Sequence, residues 1–297
     1  MKFQSVLLHE ALTSELNAAD IVDFYLAGHQ FDQAFKFLKR DFSPQAYLCM
    51  NSGEQILHEF EKRDDLNLWA QVIYLPKKSY FLFKEGDVAK AEELVSKNIN
   101  VLRQLIVKGH NFLSFFLVQQ THNLARLYFS KRETVPAMKV VNETLRFLYG
   151  TKTDSEYFSG LSLVHFRSDY PAEAFSIINS FINQLANESL LMMMRNGNQN
   201  AVTVLLKLMF EGLDDISMRF QGAMGDMMIT RQIMTLFYTL GRYSDPSGFI
   251  LKACEIKQSN PGLSAVRLNL INTYVCYFQD CGVDYMAVKN DVMSHAS

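Results

Sequence analysis

Three prolines recur along the chain, each just after a Ser, Thr or Asp and between two apolar runs: Thr134-Val135-Pro136, Asp169-Tyr170-Pro171 and Ser244-Asp245-Pro246. The first two prolines are 35 residues apart and the third follows after 75, close to two further periods. Proline is tolerated in the first turn of a helix, where its missing N–H would have no partner, and the preceding hydroxyl or carboxylate can cap free N–H groups. Each proline is therefore predicted to begin the second helix of a helical hairpin.

The composition also favours helices. Of the 297 residues, 48% are hydrophobic and 20% charged, which excludes a disordered chain, and only 14 Gly and 6 Pro argue against a turn-rich all-β protein. The length fits two compact domains or one long repetitive domain. The net charge of −2 is too small to give a strong electrostatic potential of one sign over the surface, so we expect no direct nucleic-acid partner and no anionic membrane partner.

The sequence predicts a cytoplasmic location. Residues 1–10 lack the small-residue cleavage site of a secretory signal, and no apolar run approaches the roughly 18 residues needed to span a bilayer. The four cysteines, at positions 49, 254, 276 and 281, have wide and irregular spacing. That spacing suits reduced thiols better than a disulfide framework.

Small residues recur where the two helices of a hairpin would cross. The candidate second-helix positions are 34, 91, 137, 174, 246 and 287. A small residue lets two helix backbones approach closely, and a Gly before it relieves the turn between the helices. The clearest copy of this pattern is Gly86-Asp87-Val88-Ala89-Lys90-Ala91-Glu92.

Each copy has an aromatic residue, then a Gly-containing turn, then a small residue. In this order the chain resembles the tetratricopeptide repeat (TPR) family. The resemblance implies an all-α fold, a right-handed α-α superhelix of TPR-like helical hairpins, as a single domain over residues 1–297. Its copies are unevenly spaced. The predicted units cover residues 15–48, 49–74 (irregular), 75–110, 118–150, 155–188, 189–225 (degenerate), 228–258 and 263–297.

Motifs for catalysis or cofactor binding are absent from the sequence. The seven His are scattered, and Cys276 and Cys281 lack a second pair of ligands for zinc. There is no Gly-x-Ser-x-Gly elbow, and the Gly222–Gly225 segment follows a helical pattern where a phosphate loop would follow a strand. We therefore predict no catalytic residue, no metal, no cofactor and no enzymatic activity.

The resemblance implies that the first helices of successive units line a groove that receives peptides. Asn offers one acceptor and two donors to a peptide backbone, and Arg or Lys can bind a carboxylate. The alternative is that these polar side chains are simply solvated. Counting along the first helices gives the predicted binding residues Lys77, Lys84, Gln119, His122, Asn123, Arg126, Arg231, Gln232, Asn269 and Asn272.

The leading hypothesis is a non-catalytic scaffold or regulatory adaptor whose partner is a protein or peptide. One alternative is a peptide-sensing regulator without its own DNA-binding domain. A DNA-binding domain is not expected because residues 1–60 hold 4 basic against 8 acidic side chains, whereas a DNA-reading surface should be basic. Others are an enzyme whose site combines distant helices, for example through His122 and His165, and a structural subunit of a larger assembly. The oligomeric state stays open.

Overall fold

The fold is known from a computed structural model that describes residues 2–40, 44–150 and 155–197. All regular secondary structure in these ranges is helical, which confirms the all-α prediction for them. The superhelical TPR-like arrangement and its repeat units stay predictions. The α-helices are α1 (Lys2–Glu15), α2 (Ala18–Arg40), α3 (Pro44–His58), α4 (Asp64–Glu85), α5 (Val88–Val107), α6 (Ser114–Ser130), α7 (Thr134–Tyr149), α8 (Val164–Asp169) and α9 (Pro171–Arg195).

The chain divides into two compact units. Unit 1 comprises residues 1–133 and 159–173, and unit 2 comprises residues 134–158 and 174–297. Unit 1 therefore contains α1 to α6 and α8, whereas the described part of unit 2 contains α7 and most of α9. The prediction of one continuous repeat domain stays a prediction.

In unit 1, α2 and α5 each pack mainly against two other helices. Helix α2 packs against α3 and α4, and α5 packs against α4 and α6. The buried residues of α2 recur every three or four positions, so one stripe of this helix faces the core. Helix α6 is buried on nearly all sides. The buried stripe of α2 consists of Phe24, Ala27, Phe31, Ala34 and Leu38.

The turn predicted at Gly86 and Asp87 is confirmed. Helix α4 ends at Glu85, and Gly86 adopts a left-handed conformation with φ of 88° that favours glycine. The Asp87 N–H then donates to the Leu82 carbonyl over 2.9 Å. The Asp87 side chain accepts from the Lys90 N–H over 3.2 Å and so caps α5. One dipeptide thus ends one helix and begins the next.

Two of the three helix starts predicted from proline are confirmed. Helix α7 begins at Thr134, which places Pro136 in its first turn, and α9 begins at Pro171. Pro246 lies outside the described residues. The small positions of the pattern also prove to be core positions, since four of them are 0% exposed: Ala34, Ala91, Ala137 and Ala174.

A hydrogen-bonded cluster joins α1 to the rest of unit 1. The indole of Trp69, a fully buried residue of α4, donates to Glu15 Oε2 over 2.6 Å. The other carboxylate oxygen of Glu15 lies 2.6 Å from His110 Nε2. Glu15 thus connects the end of α1 both to α4 and to the segment after α5.

In unit 2, the described residues of α7 form an amphipathic helix. Ala137, Val141 and Leu148 are fully buried at spacings that put them on one face. The ring of Phe147 stacks on Phe158, with centroids 4.3 Å apart. In the described part of the chain, no helix is both long enough and apolar enough to cross a membrane.

Candidate functional site

Unit 1 contains a cavity of about 470 Å³ between α2, α4, α5 and α6. Its volume lies within the range of about 300–1,000 Å³ that is typical of small-ligand sites. Such sites combine apolar walls with a few polar groups that orient the ligand. The cavity is therefore the candidate functional site, and each wall has a different chemistry.

The α2 wall is mainly apolar. Gly28, Phe31, Asp32 and Phe35 line it, and their spacing of three and four residues places them on one face of the helix. The ring of Phe35 lies 4.5 Å from that of Tyr80 in α4, measured between centroids. These aromatic rings supply a large apolar contact area.

The α4 wall contains a proline inside the helix. Pro76 has no N–H, so the carbonyl of Val72 lacks its usual helical donor. Both residues line the cavity. The hydroxyl of Ser79 donates to the Pro76 carbonyl over 2.9 Å. The interrupted hydrogen-bond ladder thus lies in the cavity wall.

The α6 wall is mainly polar. The Arg126 guanidinium donates to Asn123 Oδ1 over 3.1 Å, and the Asn123 amide donates to Gln120 Oε1 over 3.3 Å. All three residues line the cavity. These hydrogen bonds hold the Asn123 amide in one orientation, with the guanidinium beside it. A wall of this kind can bind polar groups of a ligand.

Three charged residues line the cavity: Asp32, Lys77 and Arg126. Lys77 Nζ lies 2.6 Å from Asp32 Oδ1, so this pair is neutral as a whole. The Lys77 ammonium also lies 5.0 Å from the centroid of the Phe35 ring, within the range of a cation–π contact. Arg126 is the third charged residue of the wall.

The binding residues predicted from the sequence fall into three groups. Lys77, Gln119, Asn123 and Arg126 lie together in the cavity wall. Lys84 is exposed, with its ammonium 5.6 Å from the centroid of the Tyr80 ring. His122 is buried in the core, with 3% exposure. The other predicted residues lie outside the described residues: Arg231, Gln232, Asn269 and Asn272.

Sequence reasoning missed the residues that α2 contributes. Gly28, Phe31 and Phe35 lie far from Asn123 in sequence, and only the packing of α2 on α4 brings them to the same cavity. Phe31 and Phe35 match the helical periodicity of a core stripe. The pattern therefore assigns them to the core and gives no sign of a cavity.

Among the described residues, no group of three or more His, Cys, Asp or Glu is placed to hold a metal ion. No family model, curated protein or solved structure matches this chain. The proposed function therefore depends on the residues that line the cavity.

Proposed function

We propose that this protein is a non-catalytic binding module that holds a peptide segment of a partner protein in the cavity of unit 1. The observation that carries the proposal is the combination of apolar rings on α2 and α4 with the hydrogen-bonded Asn123 and Arg126 on α6. An extended peptide has both apolar side chains and a polar backbone, so it matches both walls. A role as scaffold or regulatory adaptor follows from such binding.

We further propose that the helices form a right-handed TPR-like superhelix in which this cavity is part of the peptide groove. The confirmed turn at Gly86 and the buried Ala91 support this arrangement. The α4–α5 and α5–α6 packing supports it too, because helices adjacent in sequence are also adjacent in space, as in a solenoid.

The test is selection of a random library of short displayed peptides on the full-length protein, followed by affinity measurements with the peptides selected. We expect Arg126→Ala to weaken binding by about tenfold or more, because a hydrogen bond to a charged group contributes about 1.5–3 kcal/mol. The matched control is Arg103→Ala. Arg103 is half-buried like Arg126 but belongs to α5 and lies outside the cavity wall.

Failure to select any peptide would overturn the proposal. Equal affinities of the wild type and Arg126→Ala for every selected peptide would place the binding surface elsewhere and would also contradict it. Urea unfolding of both Arg variants shows whether a lost affinity reflects the site or the fold.

A further inference from the structure

Gln120 is a polar residue at a buried position of α6. Its exposed fraction is 3%, and it lines the cavity of unit 1. Buried polar side chains in folded proteins have hydrogen-bond partners in the large majority of cases, because an unpaired buried donor or acceptor is costly. The partners of the Gln120 amide therefore indicate what a polar residue does at this position.

The hydrogen bonds along α6 have a fixed direction. The Arg126 guanidinium can only donate, so the side-chain oxygen of Asn123 faces it. The side-chain nitrogen of Asn123 is then on the other side, where it donates to Oε1 of Gln120 over 3.3 Å. The two N–H groups of the Gln120 amide are thus left at the end of this chain of hydrogen bonds. Other contacts of Arg126 do not alter the order, because arginine has no acceptor.

The side-chain nitrogen of Gln120 has no hydrogen-bond partner in the described part of the chain. The one hydrogen bond of this side chain there is the bond that Oε1 accepts from Asn123. The nitrogen is also not among the described atoms that are both fully buried and without a partner. It therefore borders accessible space, and the space that Gln120 lines is the cavity. A buried side chain thus presents an unused donor to the cavity.

We infer that Gln120 is a ligand-binding residue whose side-chain nitrogen donates a hydrogen bond to a main-chain carbonyl oxygen of the bound peptide. This inference rests on the function proposed above and adds the group of the peptide that is recognised. The group must be an acceptor, because the amide nitrogen can only donate. A neutral carbonyl suits the site better than a carboxylate, since burial of a charge costs far more than burial of a neutral polar group.

The first part of the test changes the protein and uses the peptides selected on the full-length chain. Gln120→Glu keeps an oxygen for Asn123 but replaces the donor with an acceptor, and Gln120→Met removes both polar atoms. We expect affinity to fall by about tenfold or more in Gln120→Glu and by about twofold to tenfold in Gln120→Met. The control Gln104→Glu makes the same charge change at an exposed position of α5 outside the cavity wall and should bind like the wild type.

The second part changes the peptide. One main-chain amide at a time is replaced with a thioamide, whose sulfur is a weaker hydrogen-bond acceptor than oxygen. In the wild type, the thioamide at the contacting position should weaken binding by about twofold to tenfold. In Gln120→Met the same thioamide should have no effect, because the hydrogen bond that it weakens is already gone. A residue that only supports the fold would not show this coupling.

The outcomes separate this inference from the proposed function. If the wild type binds the peptides and both Gln120 variants bind them equally well, the assignment of Gln120 is wrong and the binding function stands. If no thioamide weakens binding to the wild type, the inference fails whatever the stability of the variants. If every thioamide has the same effect in the wild type and in Gln120→Met, it fails as well. If the wild type selects no peptide from the library, both proposals fall together.

Discussion

Two glycines near Phe31 allow a prediction about stability in which the gain in helix propensity is the same for both substitutions and cancels in the comparison. Gly28→Ala and Gly53→Ala each replace a helical glycine with alanine, in α2 and α3 respectively. Both substitutions gain the same helix propensity, about 1 kcal/mol. They differ in what the new methyl group meets, since at Gly28 it meets no described heavy atom within 4 Å and at Gly53 it meets the Phe31 ring.

The magnitude follows from the burial of Phe31. Its ring is 0% exposed, so it can make room for a methyl group at position 53 only by displacing its neighbours. Overpacking of this kind costs about 1–3 kcal/mol. Gly28→Ala should therefore raise the free energy of unfolding by about 1 kcal/mol. Gly53→Ala should have a free energy of unfolding about 1–3 kcal/mol below that of Gly28→Ala, which is the packing cost alone.

Urea unfolding followed by tryptophan emission measures this difference. The sequence has one tryptophan, Trp69, and it is fully buried in α4 of unit 1, so its emission reports on the unit that holds both glycines. Equal and favourable midpoint shifts for the two variants would refute the reasoning. That result would mean that α2 and α3 separate at little cost, and the close approach at Gly53 would then have no energetic significance.

Two further predictions concern helix ends. Arg132, which follows α6, has φ of 63°, a conformation that costs a residue with a β-carbon about 1–2 kcal/mol. Arg132→Gly should therefore raise the free energy of unfolding by up to about 1 kcal/mol. A lower urea midpoint would contradict this. At the start of α5, the hydrogen bond from the Lys90 side chain and then that from its backbone N–H lower the pKa of Asp87. Because the folded pKa is lowered, Asp87 stabilises the protein above its unfolded pKa of about 3.9, and this contribution is lost as pH falls through the folded value. Asp87→Ala should thus destabilise the protein at pH 7 and match the wild type at low pH, and a difference that is constant with pH would exclude this mechanism.

Features with local causes could be predicted from the sequence. The turn at Gly86 needs one residue with positive φ followed by a capping carboxylate, and both requirements can be read from adjacent letters. The starts of α7 and α9 follow in the same way from the restricted backbone of proline. Burial of Ala91 and Ala137 follows from periodicity alone.

The cavity depends on contacts between distant segments, so the sequence could give only part of its lining. Counting along α6 indicated a polar face, and three residues from that count, Gln119, Asn123 and Arg126, lie in the cavity wall. Their role in binding stays a prediction. The same count included His122, which is buried, because α6 is enclosed on nearly all sides and its periodicity does not distinguish an open face from a core face. Nothing in the letter at position 28 shows that this residue lines a cavity.

The division of the chain also has a consequence for its synthesis. Unit 1 includes residues 159–173, but the segment from 134 to 158 belongs to unit 2. A ribosome adds about 5–20 residues per second, so the 40 residues from 134 to 173 take about 2–8 s to appear after residue 133. During that interval the nascent chain lacks α8, which packs on the short helix Asn111–Leu113. The contact between α8 and that helix therefore cannot form until the last segment of unit 1 has been synthesised.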